Sequence, residues 1–357
     1  MSGRRTRQPE QVGVPPSVAR HLDGARVIDL GYGGHCALPG LAGVAQTACF
    51  VTTDIRRLRS CEAWIREAQV SGFSAVLADS LTELPKEPFD VALFQPEGWA
   101  AKEWVCEQID QAFMLLTVGG RLYLSGRRDK GIESYRKRLE AVFRGADREA
   151  TDAGLRTYVA EKTGDKPGAD PVDTGYAFDV SGVPGSPYRF RARAGVFSRD
   201  GLDPGTRLLL ETPSVRPCDR VLDLGSGYGA IGIVAARQAS DGEVAMVDVD
   251  LRAVRSAEAN IQLNGISNAR AALSDGFEAV REEAFDLILS NPPTHEGKRA
   301  AEVFVTGAAA HLAPGGRFQV VTMRPNLYSW WMKRCLDEAE TLEERDGYTV
   351  LLARSLR

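Results

Sequence analysis

The chain repeats itself. ARVIDLGYGGH (residues 25–35) matches DRVLDLGSGYG (219–229) at an offset of 194, with Asp29 falling on Asp223. DIRRLRSCEAWI (54–65) then matches DLRAVRSAEANI (250–261) at an offset of 196. That second offset holds for Asp79 on Asp275, Phe89-Asp90 on Phe285-Asp286, and Gly119-Gly120-Arg121 on Gly315-Gly316-Arg317. A register kept over so many landmarks is the mark of a duplication, and it restricts the fold to two copies of one unit.

Within each copy, short β-rich runs alternate with helix-length amphipathic segments, the pattern of a mostly parallel, doubly wound α/β sheet. In the second copy strands are expected at 220–224, 244–249, 269–273, 285–290, 316–322 and 347–353, with helices at 229–238, 253–264 and 300–311. The expected organisation is a flexible basic tail (1–18), a first domain (19–162), a Gly/Pro/Asp-rich linker (163–187) and a second domain (188–357).

Composition narrows the class. Charged residues make up 26% and apolar residues 43% of 357, as in ordinary globular chains. No uninterrupted apolar run approaches the ~18 residues of a membrane span, and the tail MSGRRTRQPEQ has no apolar core behind it, so no membrane or secretory role is expected. The six cysteines include no Cys-x-x-Cys pair, which points to reduced packing residues of a cytoplasmic protein and to no metal site. With a net charge of −4, a nucleic-acid partner would need a local basic patch. Arg189, Arg191 and Arg193, and the stretch 127–138, are candidates; the alternatives are an edge strand and a solvated helix.

The chemistry concentrates in the second copy. An apolar strand ends in Asp223 and is followed by Gly225-Ser226-Gly227-Tyr228-Gly229, a loop that lets backbone approach a ligand closely. A second strand ends in Asp248, with Val249 after it, where a carboxylate can accept from the two hydroxyls of a ribose. Asp275 and Gly276 follow the third strand and can meet an adenine edge; Asp223 can hold a ligand's amino-acid portion. After the fourth strand comes Asn291-Pro292-Pro293-Thr294. An exocyclic amine or an amide nitrogen has a delocalised lone pair and attacks poorly. The Asn291 side-chain oxygen and the Pro292 carbonyl, gripping its N–H groups, would localise that pair, and the prolines stiffen the turn. In the first copy His35, Thr52 and Gln95-Pro96-Glu97-Gly98 stand where the second has Gly229, Asp248 and Asn291-Pro292-Pro293-Thr294. Threonine cannot grip two hydroxyls, so the first copy is expected to keep the fold and lack the ligand.

These motifs, with GVFSRDGLDPGT (195–206) just before the glycine loop, resemble the class I S-adenosylmethionine-dependent ribosomal RNA guanine-N2 methyltransferases of the small-subunit methyltransferase C and large-subunit methyltransferase G type. The resemblance covers nearly the whole chain. It implies two tandem Rossmann-like methyltransferase domains, the N-terminal one degenerate and serving RNA binding and stability. It implies S-adenosylmethionine as cofactor, ribosomal RNA or a ribosomal subunit as partner, and a monomer that is a pseudo-dimer by duplication. By motif, Phe197 and Ser198 join Asp223, Gly225, Ser226, Gly227, Gly229, Asp248, Val249, Asp275 and Gly276 on the cofactor side, and Asn291 and Pro292 face the guanine amine. One position departs from the family: a bulky apolar residue is usual after Asn-Pro-Pro, and here it is Thr294. The base-stacking platform then falls to Tyr228 or Tyr328. The competing functions are methylation of a protein glutamine or a small molecule, and non-catalytic RNA binding in assembly.

Overall fold

The computed structural model describes residues 16–31, 36–84, 88–97, 100–152, 154–198, 200–212, 214–293, 297–337 and 339–356. His35, Gly98 and Thr294 lie outside the described residues. The chain divides after Thr174 into two compact units.

The first unit contains α1 (Pro16–Ala19), β1 (Arg26–Asp29), α2 (Leu38–Leu41), β2 (Thr47–Thr52), α3 (Ile55–Ala68), β3 (Phe73–Leu77), β4 (Phe89–Phe94), α4 (Lys102–Leu115), β5 (Leu116–Arg127), α5 (Ile132–Phe143), β6 (Asp147–Asp152) and β7 (Leu155–Glu161). The second opens with β8 (Gly175–Val180), β9 (Tyr188–Arg193) and α6 (Pro204–Glu211). It continues with β10 (Arg220–Leu224), α7 (Ala230–Gln238), β11 (Glu243–Asp248), α8 (Leu251–Leu263), β12 (Ala269–Leu273), β13 (Phe285–Ser290), α9 (Gly297–His311), β14 (Leu312–Thr322), α10 (Pro325–Cys335), β15 (Glu340–Arg345) and β16 (Tyr348–Arg354).

The two sheets have one topology. The order is β3-β2-β1-β4-β5-β7-β6 in the first and β12-β11-β10-β13-β14-β16-β15 in the second, parallel except for the final hairpin. The duplication read from sequence is therefore a duplication of fold. Even local locks recur: the backbone N–H of Arg26 donates to Asp90, and that of Arg220 to Asp286. Gly316 recurs for a steric reason, because a methyl there would stand 2.8 Å from the Ala313 carbonyl and 2.9 Å from that of Phe285.

Strand β10 reads as a nearly unbroken buried run because both sheet faces are covered. Val221 packs toward α7 and α8, and Leu222 and Leu224 toward α9 and α10. Strand alternation thus feeds two cores, one on each face.

The structure adds to the sequence reading and changes it in places. Part of the stretch expected as a linker is strand β8, whose Tyr176, Phe178 and Val180 alternate with exposed residues and pair antiparallel with β9. Arg189, Arg191 and Arg193 are the outward residues of β9, while Tyr188, Phe190 and Ala192 are buried. Strand β15, ETLEER, has no apolar alternation because it is a solvated edge. In 127–138, Arg127 pairs with Asp129, Arg136 with Glu140 and Arg138 with Asp110, so half of the six basic residues of that stretch are held in ion pairs. No helix among the described residues is long and apolar enough to cross a membrane.

Candidate active site

Of the expected site residues, Asp223, the glycine loop, Asp248, Asp275 and Asn291 lie at or just past the carboxyl ends of β10, β11, β12 and β13, where ligands meet doubly wound sheets. Asp223 is fully buried; its Oδ2 accepts from the Gly232 N–H at 2.8 Å, fixing the first turn of α7. Its Oδ1 has no partner among the described residues, nor has the buried hydroxyl of Ser226. Burial, opposed by the Gly232 bond and reinforced by the nearby Asp248 charge, pushes the Asp223 carboxyl up to about 7.

Asp248 shapes the loop from the neighbouring strand. Its Oδ2 accepts from the Gly227 N–H and its Oδ1 from the Asp250 N–H, both at 2.9 Å. Burial raises this carboxyl too, to about 6, against those two bonds. Gly227 has φ +55°, and a methyl there would meet nothing within 4 Å, so the crest of the loop faces open space. Gly229 is the opposite case, with φ +90° and Met246 and Ala257 within 3.2 Å of any added methyl. Asp275 is exposed just past β12; beside it Ser274 holds the turn by donating to the Gly276 carbonyl at 2.8 Å.

The Asn-Pro-Pro turn is tied to this loop. Ser290, fully buried, donates its hydroxyl to the Leu224 carbonyl at 2.7 Å and so joins the ends of β13 and β10. Asn291 Nδ2 donates to Asp203 Oδ2 and to Thr206 Oγ1, each at 2.9 Å. A carboxylate only accepts, so the amide nitrogen must face Asp203. Both amide hydrogens are then consumed, and Oδ1 remains as an acceptor. Asp203 also caps α6 through the Thr206 N–H at 2.9 Å.

Sequence reasoning missed Asp203 and Thr206. The signal was present in LDPGT (202–206), an N-cap followed by proline that starts a helix, but nothing local shows which strand end the cap faces. It also missed Asn260, fully buried on α8, whose amide accepts from the Arg191 N–H and donates to the carbonyls of Arg191 and Tyr228.

One expectation is corrected. Tyr228 and Tyr328 are each 4% exposed and cannot form a base-stacking platform. Tyr228 packs edge-on against Phe178 and Phe190, and Tyr328 lies in the core under α10. Phe197, by contrast, is 65% exposed on the loop before α6, where Ser198 donates to the Gly201 carbonyl at 2.8 Å.

Among its described residues, the first unit lacks this arrangement. Thr52 occupies the place of Asp248 and still accepts from the Asp54 N–H at 3.1 Å, but it is a single hydroxyl. Arg57 and Glu97, standing where the second unit has Ala253 and Pro293, form an ion pair.

Comparison with known proteins decides the family. Residues 187–352 match the family model described as "Methyltransferase small domain". Ribosomal RNA small subunit methyltransferase C of Stutzerimonas stutzeri is 30% identical over 275 residues, 75% of this chain and 80% of its own. The protein of that name from Escherichia coli (strain SMS-3-5 / SECEC) is 33% identical over 256 residues, 70% of this chain and 68% of its own.

The chain belongs to the ribosomal RNA small subunit methyltransferase C family.

A solved structure gives the family a three-dimensional counterpart: the T. thermophilus 16S rRNA N2 G1207 methyltransferase in complex with AdoMet and guanosine. It is similar to this chain with a TM-score of 0.81 and 31% identity, over 97% of this chain and 94% of its own. The two tandem sheets described above are thus the fold of this family.

Proposed function

We propose that the chain transfers a methyl group from S-adenosylmethionine to the exocyclic N2 amine of a guanine in small-subunit ribosomal RNA. The observation that carries this reading is Asn291, whose amide hydrogens are both held within the protein while its Oδ1 is left as an acceptor beside the glycine loop. Family membership and the solved relative's AdoMet and guanosine support the cofactor and the base.

The cleft fits the cofactor. Asp223 Oδ1 and Ser226 Oγ are buried acceptors that lack donors among the described residues, and the space over Gly227 is open. Asp248 would accept from ribose hydroxyls, Asp223 would hold the amino-acid portion and Asp275 would accept from the adenine amine. The turns carrying Gly225, Ser226, Gly229, Val249 and Gly276 would supply backbone, and Phe197 and Ser198 would close the near side. S-adenosylmethionine supplies an electrophilic methyl on a sulfonium. Asn291 Oδ1 and the Pro292 carbonyl would accept the two N–H groups of the guanine amine, turning its lone pair out of conjugation and aiming it; Pro293 and Thr294 are the remaining residues of the proposed catalytic motif. Catalysis is then positioning and preorganised dipoles.

On this reading residues 188–357 are catalytic, while residues 19–162 serve RNA binding and stability. Residues 163–174 lead from the first unit to β8, which opens the second. The chain works as a monomer, a pseudo-dimer by duplication, on ribosomal RNA in the cytoplasm. Asn291→Ala should keep S-adenosylmethionine affinity within about twofold by calorimetry and lower kcat by on the order of 100-fold or more. Transfer by Asn291→Ala at the wild-type rate would refute the mechanism.

A further inference from the structure

The cleft leaves one basic surface of the second unit unused. Helix α9 begins soon after the Asn-Pro-Pro turn, with Lys298 and Arg299 exposed in its first turn. Across from it, β14 leads into Arg324, whose guanidinium lies against the start of α9: a methyl on Gly297 would stand 3.4 Å from Nη1. Ser290 and Val320 are register partners in parallel strands, so Arg324 emerges at the same sheet edge as Asn291. Helix α10 then carries Trp330, 51% exposed, with the Arg334 guanidinium 4.3 Å over its ring.

Helix α10 contains no acidic residue. Among the described residues no carboxylate pairs with Lys298, Arg299, Arg324 or Arg334, whereas three of the four arginines of 127–138, Arg127, Arg136 and Arg138, are paired. Glu302 is the one acid on described α9. A chain of net charge −4 thus keeps uncompensated cations at the start of α9 and at Arg324, and on α10 a cation stacked on an exposed aromatic ring.

We infer that this basic surface is where the RNA strand flanking the target guanine lies. Phosphates sit on Lys298, Arg299 and Arg324, and the stacked Trp330–Arg334 pair receives a base or sugar face. The inference rests on the RNA reading above and adds where the strand runs. Ten residues separate Arg324 from Arg334, about 15 Å along a helix, so a nucleoside seated in the cleft does not span the surface.

The test uses the full chain, small-subunit RNA and labelled S-adenosylmethionine, comparing wild type with K298A/R299A/R324A and with W330A/R334A. KM for RNA should rise about tenfold or more in each, with S-adenosylmethionine affinity as in wild type. The salt dependence of RNA binding should become shallower by about 2 in the triple variant, at ~0.7 per phosphate contact on single strands. Unchanged KM and salt slope in variants that still methylate RNA would overturn this inference and leave the function standing. Absence of any transfer to RNA by the wild type would overturn the functional reading, and this one with it. A change of oligomeric state in W330A/R334A without a change in KM would assign the face to a second copy and overturn it.

Discussion

Asn291 can serve as an acceptor only while its amide is kept from turning over, and two residues do this. Asp203 and Thr206 take both Nδ2 hydrogens, so a flipped amide would set its oxygen against a carboxylate. They are positioning residues, and their removal should split kcat from KM. Asp203→Ser preserves a helix cap for α6 but removes the carboxylate. In it kcat should fall on the order of 100-fold while KM for RNA and cofactor affinity stay near wild type. A thermal shift without that split would mean a structural role only. The two cleft carboxyls give a second prediction at this scale. Asp223 and Asp248 have folded-state values raised to about 7 and about 6, above the ordinary carboxylate range. They favour the ligand-free fold when protonated, and the stability they contribute is lost as pH rises through those values. A cofactor that donates to them binds their ionised forms, so calorimetric affinity should fall between pH 7.5 and 5, by up to about tenfold per unit between pH 7 and 6 and up to about 100-fold per unit below pH 6, where both are protonated. A flat profile would show that neither carboxylate accepts from the cofactor.

At the scale of elements, the sequence was most readable where two faces are buried and least where an element is held by one. Strands β10 and β13 fall where expected because their buried apolar runs are closed by a turn, and the edge strand β12 is bounded in the same way. Helix α10 went unread: PNLYSWWMKRC mixes a buried face of Tyr328 and Met332 with exposed Trp330 and Arg334, blurring the period. The site divides in the same way. Asp223, Asp248 and Asn291 were legible because each ends a strand, whereas Asp203 and Asn260 act on elements distant in sequence. Asn260 illustrates the cost of such an element. Its amide replaces strand pairing for Arg191 on β9 and also holds the Tyr228 carbonyl in the loop. Asn260→Ala would strand the buried Tyr228 carbonyl and the part-buried N–H and carbonyl of Arg191, and should destabilise the chain by about 2–4 kcal/mol in chemical denaturation. A loss below about 0.5 kcal/mol would mean that water replaces the amide.

For the molecule as a whole, duplication produced two sheets of one topology and different fates. In the first unit Thr52 stands where the second has Asp248, and the Arg57–Glu97 ion pair stands where the second presents Ala253 and Pro293. The fold survives such changes because it rests on the two buried faces of each sheet, which the strand ends do not touch. Chemistry is concentrated in the second unit, and its product tests the account most directly. Small-subunit ribosomal RNA lacking the modification, incubated with the protein and S-adenosylmethionine, should yield N2-methylguanosine at a defined position by mass spectrometry, and none with Asn291→Ala. Wild-type protein that binds S-adenosylmethionine yet leaves every guanine unmethylated would contradict it.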